Sequence, residues 1–192
     1  MAVFKEGIRP LVEANKLGCL LFQFPASFKH SVEDQDKLKV LLDLFPDCFK
    51  AVELRHRSWD DALPVLASLN AVPVFIDEPK FKDSIRQDFE SIGGPIFYLR
   101  LHGRRFEKWW RHEHRNERYD YLYKPEELQP YTIRLKSVLE NKDIQRAYIF
   151  FNNHPGAKAV ANAVMMRAQL DIPVKAELPA TLIEKFPELN AG

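Results

Sequence analysis

Apolar residues along this chain alternate between two spacings, and the repeated switch predicts its architecture. Five short runs read as strands, at residues 19–25, 51–59, 72–78, 96–104 and 146–156, each apolar at its start and charged or amide-rich at its end. Between them the spacing becomes helical. Residues 3–16 put Phe4, Ile8, Leu11 and Val12 on one face, with Gly18 as the stop. Ser31 and Asp34 mark the start of a second helix, whose Leu38, Leu41, Leu42 and Phe45 run up to Pro46. Ser58 or Asp60 opens a third with Leu63, Leu66 and Leu69 inward. Residues 125–141 form the clearest helix, with Glu126 and Glu127 in its first turn and Leu128, Ile133, Leu135, Val138 and Leu139 apolar. Residues 155–169 form the last. A tail at 171–192, punctuated by Pro173, Pro179 and Pro187, docks through Leu182, Ile183 and Phe186. Strands alternating with single helices predict an α/β fold with a parallel sheet, whose strand C-termini share one rim where ligands bind.

Alternation within the strands separates two faces. Val52 and Leu54 oppose Glu53 and Arg55; Phe97, Leu99 and Leu101 oppose Tyr98, Arg100 and His102; Val72, Val74 and Ile76 oppose Phe75 and Asp77. Leu20, Phe22 and Phe24 oppose Leu21 and Gln23. One face is thus greasy throughout, and the other is expected to gather Gln23, Glu53, Arg55, Asp77, Arg100, His102 and Asn152. An open doubly wound sheet would be apolar on both faces, so the pattern favours a closed barrel with a polar mouth.

Composition narrows the function class without choosing one. With 192 residues, 46% hydrophobic and 29% charged, the chain suits one globular domain, 1–192. A net charge of +1 gives no overall attraction to nucleic acid or anionic membranes. No apolar run reaches the ~20 residues that span a bilayer, and residues 1–16 lack a signal-peptide core. A cytoplasmic location is expected. Cys19 and Cys48 read as buried free thiols.

The candidate chemistry lies at the strand ends. Arg55, Arg100 and Arg104 must each meet an acid or an anionic ligand, since an unpaired guanidinium is too costly to bury. Internal neutralisation by Glu53 and Asp77 competes with binding of a phosphate or carboxylate, with Gln23, Asn152, Asn153 and His154 adding polar contacts at the rim. Residues 152–156, Asn-Asn-His-Pro-Gly, lead into a helix whose first N–H groups could hold an anion, or could be turn and cap chemistry alone. His102, with Glu53 or Asp77, is the proton-transfer candidate, set against a structural histidine. A metal cluster of His56, His102 and His154 lacks any ligand-motif spacing and sits among arginines, so no metal or other cofactor is assigned. Residues 79–95 and 103–124 are long connections. The latter interleaves Trp109, Trp110, Tyr119, Tyr121 and Tyr123 with basic residues, which suits a lid over the rim better than a nucleic-acid clamp, because Glu107, Glu113, Glu117 and Asp120 dilute its charge.

The series LGCLLFQFPASF, AVELRHRSW, VPVFIDEP, IFYLRLHGR, NERYDYLYKPEEL and IFFNNHPGAKAVANA resembles the YecE-like family, a domain-of-unknown-function group, over residues 17–170. That resemblance implies a TIM-barrel fold, and that the family's first three strand–helix units are missing here, leaving a partial barrel of about five strands. It implies no reaction. Two exposed barrel edges would favour self-association or completion by another chain. The expected ligand is a small phosphorylated or otherwise anionic molecule, with a metal-assisted phosphodiester hydrolase and a non-catalytic anion-binding or interaction protein as alternatives.

Overall fold

The computed structural model describes residues 2–87 and 94–191, so residues 88–93 of the long connection at 79–95 lie outside the described residues. The chain divides into two compact units, Met1–Pro73 with Ser84–Arg86, and Val74–Asp83 with Gln87–Gly192.

In the first unit, β1 (Leu20–Gln23), β2 (Lys50–Glu53) and β3 (Val72–Pro73) form a parallel sheet in that order. Helix α1 (Ala2–Glu13) precedes it, and none of its residues is buried. The expected inward face is half-exposed at Phe4, Leu11 and Val12; Phe4 meets Phe45 edge-on with ring centres 5.6 Å apart. The helix stops at Asn15 (φ 53°), where the N–H groups of Lys16 and Leu17 both return to the Leu11 carbonyl, so Gly18 is not the terminator. Helix α2 (Val32–Asp43) starts as expected, with the Ser31 hydroxyl accepting from the Asp34 N–H at 3.1 Å and Leu38 and Leu42 buried. The expected third helix is instead a 3-10 turn, Arg57–Ala62, capped by His56, followed after Pro64 by the single-turn α3 (Val65–Ser68). Trp59 anchors that turn. It is fully buried, stacks on Phe28, and donates from Nε1 to the Phe28 carbonyl at 3.0 Å.

In the second unit, β4 (Phe75–Asp77), β5 (Ile96–Leu101) and β6 (Arg146–Phe151) form another parallel sheet, again in sequence order. The predicted strand at 72–78 is therefore two strands in two sheets. Gln87 marks the break: its Nε2 donates to the Val74 carbonyl at 2.6 Å, and its Oε1 accepts from the Ile76 N–H at 2.9 Å. A side-chain amide thus supplies the pairing that a neighbouring backbone would otherwise provide. Phe75, Leu99 and Leu101 pack with Leu128, Leu135 and Val138 of α4 (Pro125–Glu140) and with Ala161, Met165 and Met166 of α5 (Lys158–Gln169). Ile133 and Leu139, counted among the apolar residues of this helix, face solvent. Leu182 and Phe186, in and just after α6 (Ala180–Lys185), complete this core, so the tail docks as anticipated. No described helix is long and apolar enough to cross a membrane.

Candidate functional site

Each sheet brings its polar residues to its C-terminal edge, and register decides which of them share a face. In the first unit Gln23 lies beside Glu53 at the ends of β1 and β2. Arg55 folds back two residues to donate to Glu53 Oε1 from Nε at 2.9 Å and from Nη2 at 2.5 Å, with the Glu53 side chain fully buried. Neutralisation of Arg55 by Glu53 is therefore present, as one sequence reading expected. Cys19 and Cys48 are free and only partly buried, and burial pushes the Cys19 thiol up to about 11.

In the second unit the pairings Phe75↔Leu99, Ile76↔Arg100 and Asp77↔Leu101 reverse the face predicted for Asp77. Asp77 stands with Leu101 on the helix side, and Ile76 stands with Arg100. The carboxylate is accordingly held by groups of the helix layer. Tyr123 donates to Oδ2 and Tyr131 to Oδ1, both at 2.6 Å, while Arg104 donates from Nε to Oδ2 at 2.9 Å and from Nη2 to Oδ1 at 3.1 Å. The Tyr123 hydroxyl also accepts the Gly103 N–H at 2.8 Å. Burial works against charge on Arg104, but the Asp77 hydrogen bonds and charge outweigh it and raise its pKa. Burial and the same carboxylate raise both tyrosines, keeping them protonated donors. Two carboxylate oxygens with four donors make Asp77 a brace for Arg104, and proton transfer no longer suits it.

The amide pair at the end of β6 also divides. Asn153 is fully buried; its Nδ2 donates to the Tyr121 carbonyl and to Asn162 Oδ1, both at 2.7 Å. Asn162 in turn takes the Tyr123 N–H at 3.0 Å and gives Nδ2 to the Tyr123 carbonyl at 2.7 Å. Asn153 is thus an internal link, not a rim contact, and Asn162 pins the end of the 103–124 segment. Asn152 continues the opposite face, and its carbonyl meets His154 Nδ1 at 3.0 Å.

His102 is enclosed at the same edge, with 1% of its surface exposed. Its ring centre lies 6.4 Å from Trp109 and 6.2 Å from Tyr119, and Tyr119 lies 5.9 Å from His154. The Arg118 guanidinium sits over Tyr119 at 4.9 Å. Tyr119 therefore bridges the two histidines, a role that nothing in its sequence spacing announced. The 103–124 segment is folded on itself around two 3-10 turns, Phe106–Lys108 and Arg115–Tyr119. Trp109 and Tyr123 are buried, Lys108 pairs with Glu117 at 2.8 Å, and Asp120 holds both Arg105 and Lys158; Trp110 remains exposed. Most of the aromatic and basic groups that suggested a nucleic-acid clamp are spent internally.

Among the described residues, no group of three or more His, Cys, Asp and Glu side chains comes together as a metal site. A groove of about 360 Å³ between α4 and α5, lined by Gln129, Thr132, Lys136 and Gln169 among others, holds none of the candidates named from sequence.

A family model described as "Protein of unknown function DUF72" matches residues 1–185. The UPF0759 protein YunF of Bacillus subtilis (strain 168) is 28% identical over 191 residues, which cover 93% of this chain and 67% of that protein. The crystal structure of a DUF72 family protein (TM1631) from Thermotoga maritima MSB8 superposes with a TM-score of 0.81 at 34% identity, covering 88% of this chain and 64% of that one. A DUF72 family protein (EF0366) from Enterococcus faecalis V583 gives 0.82 at 25% identity, covering 93% and 69%. The mixed α/β fold with parallel sheets is similar to theirs, and the chain spans about two thirds of their length.

Proposed function

The chain belongs to the DUF72 family, and from that premise we propose that its second sheet carries a binding rim for a small phosphorylated or otherwise anionic substrate. The TIM-barrel fold implied by the YecE-like resemblance is part of the same proposal, each parallel sheet being a stretch of barrel wall. The observation that carries the site is the placement of Arg100 and His102 on one face of β5, opposite the helices, with Asn152 following β6 beside them. Arg100 supplies the charge for the anion and His102 the proton-transfer group. Tyr119 and the 103–124 segment cover His102, so substrate access requires that segment to lift as a lid. Asp77 and Arg104 brace the rim from the helix side, and Arg55 with Glu53 belongs to the first unit.

Inorganic phosphate titrated into the protein and followed by calorimetry tests this. Saturable binding that weakens at least about tenfold in Arg100→Gln, a loss of about 1.4 kcal/mol, is the expected result. Absence of saturable binding, or equal binding by the variant, overturns it.

A further inference from the structure

We infer that Glu78, one residue beyond β4, is the carboxylate partner of His102, and that Glu78, His102 and Asn152 form the acid–base row of the rim. The inference rests on the anion-rim reading for its substrate, while its geometry stands on backbone register and burial. The His102 N–H donates to the Asp77 carbonyl at 2.8 Å, and the Asn152 N–H donates to the Leu101 carbonyl at 2.7 Å. In a parallel ladder the first bond places His102 opposite Glu78, and the second places Asn152 opposite His102. Extending the register one step past the last paired residues, Asp77, Leu101 and Phe151, gives the row Glu78–His102–Asn152, two positions beyond Ile76–Arg100–Phe150. Pro79 has no N–H with which to return a bond, so the ladder ends at this row.

Burial agrees with a working pair. Glu78 is 5% exposed and His102 1% exposed, although glutamate is seldom enclosed without a partner. Adjacent strands lie about 4.8 Å apart, which brings neighbouring side chains of one row within reach of each other. Titratable or charged groups near His102 among the described residues include Arg100 on its own face, Tyr119 against its ring, and His154 and Arg118 across Tyr119. Arg100 opposes a charged imidazole, so a carboxylate alongside is what permits one. In the proton step, His102 takes a proton from a substrate donor atom and becomes imidazolium, Glu78 stays ionised beside it, and the same nitrogen returns the proton to the substrate atom on which negative charge has developed.

The test is a pH titration by NMR of the His102 ring and of the ¹³C-labelled Glu78 carboxylate in the full chain. In the wild type, the Glu78 carbon is expected to show a second inflection at the His102 midpoint. In Glu78→Gln, checked for folding by circular dichroism, that midpoint is expected to drop by about a unit, the scale of one close charge. A His102 that keeps one protonation state throughout, or a Glu78 signal blind to its titration, overturns the pairing even should the variant not fold. Calorimetry with inorganic phosphate separates this from failure of the parent reading: intact phosphate binding with uncoupled titrations defeats only the row, and coupled titrations without phosphate binding defeat only the anion rim.

Discussion

At the scale of single residues, the buried hydroxyl of Tyr123 is the most exacting contact. It donates to Asp77 and accepts from Gly103, so Tyr123→Phe leaves a buried N–H and a carboxylate oxygen short of partners. A loss of about 1–3 kcal/mol is expected, read from the midpoint of urea unfolding. Gly103 itself has φ 91°, and a Cβ there would meet Tyr121 Cβ at 2.7 Å. Gly103→Ala should therefore cost at least as much, ~1–3 kcal/mol, from backbone strain and collision together. The opposite sign is expected at Ala157, which enters α5 with φ 65° and a side chain that this region penalises. Ala157→Gly should stabilise the chain by up to about 1 kcal/mol in the same assay. None of these positions stood out from sequence, because glycine and alanine betray nothing of their φ until the flanking strand and helix fix it. Tyr123 read only as one aromatic of a loop; its hydroxyl became decisive once Asp77 proved to face the helices.

Elements fared differently according to how much of their identity is local. Helix α4 was legible almost to its ends because Pro125, two glutamates and a clear apolar stripe all agree. The strand at 72–78 misled because a run of Val, Pro, Val and Phe has no local mark for a break that Gln87 enforces from a distance. That split changed the register, and register fixed the face of Asp77, so an error of secondary structure became an error of site chemistry. The segment 103–124 shows the converse, since its charges looked like a solvated surface yet tie it down. Hydrogen bonds from Lys108 and from the His114 N–H hold the Glu117 carboxyl down to about 2, below its ordinary 4.5, and Lys158 likewise lowers Asp120. A carboxylate whose folded value is depressed stabilises above its unfolded value and loses that contribution as pH falls through the folded one. The segment should stay tethered at pH 5 and loosen as the pH approaches 2, measured as faster amide exchange at residues 114–120 relative to β5.

For the molecule as a whole, two parallel sheets with open sides are the governing fact. Among the described residues β6 pairs on one side only, and its burial contrasts with that of β5, with Phe150 45% exposed. A parallel strand normally lies covered, so pairing of this edge with another strand is the outcome we predict. Concentration-dependent association in sedimentation velocity is expected, diminished by Phe150→Lys; a sedimentation coefficient unchanged by concentration and by that substitution would remove the case for it. The alternation of strands and helices, and the parallel pairing it implies, could be read from sequence because hydrophobic period is a property of neighbours along the chain. What the two units do with their edges could not, because it depends on surfaces far apart in sequence. Pro79 links the smallest of these scales to the largest. Its imino nitrogen is a stop for the zipper of β4 against β5, so Pro79→Ala would supply the N–H that the row of Glu78 and His102 lacks, and the ladder would run one residue further. The point at which the pairing of β4 with β5 ends is therefore set by one ring that cannot carry a hydrogen.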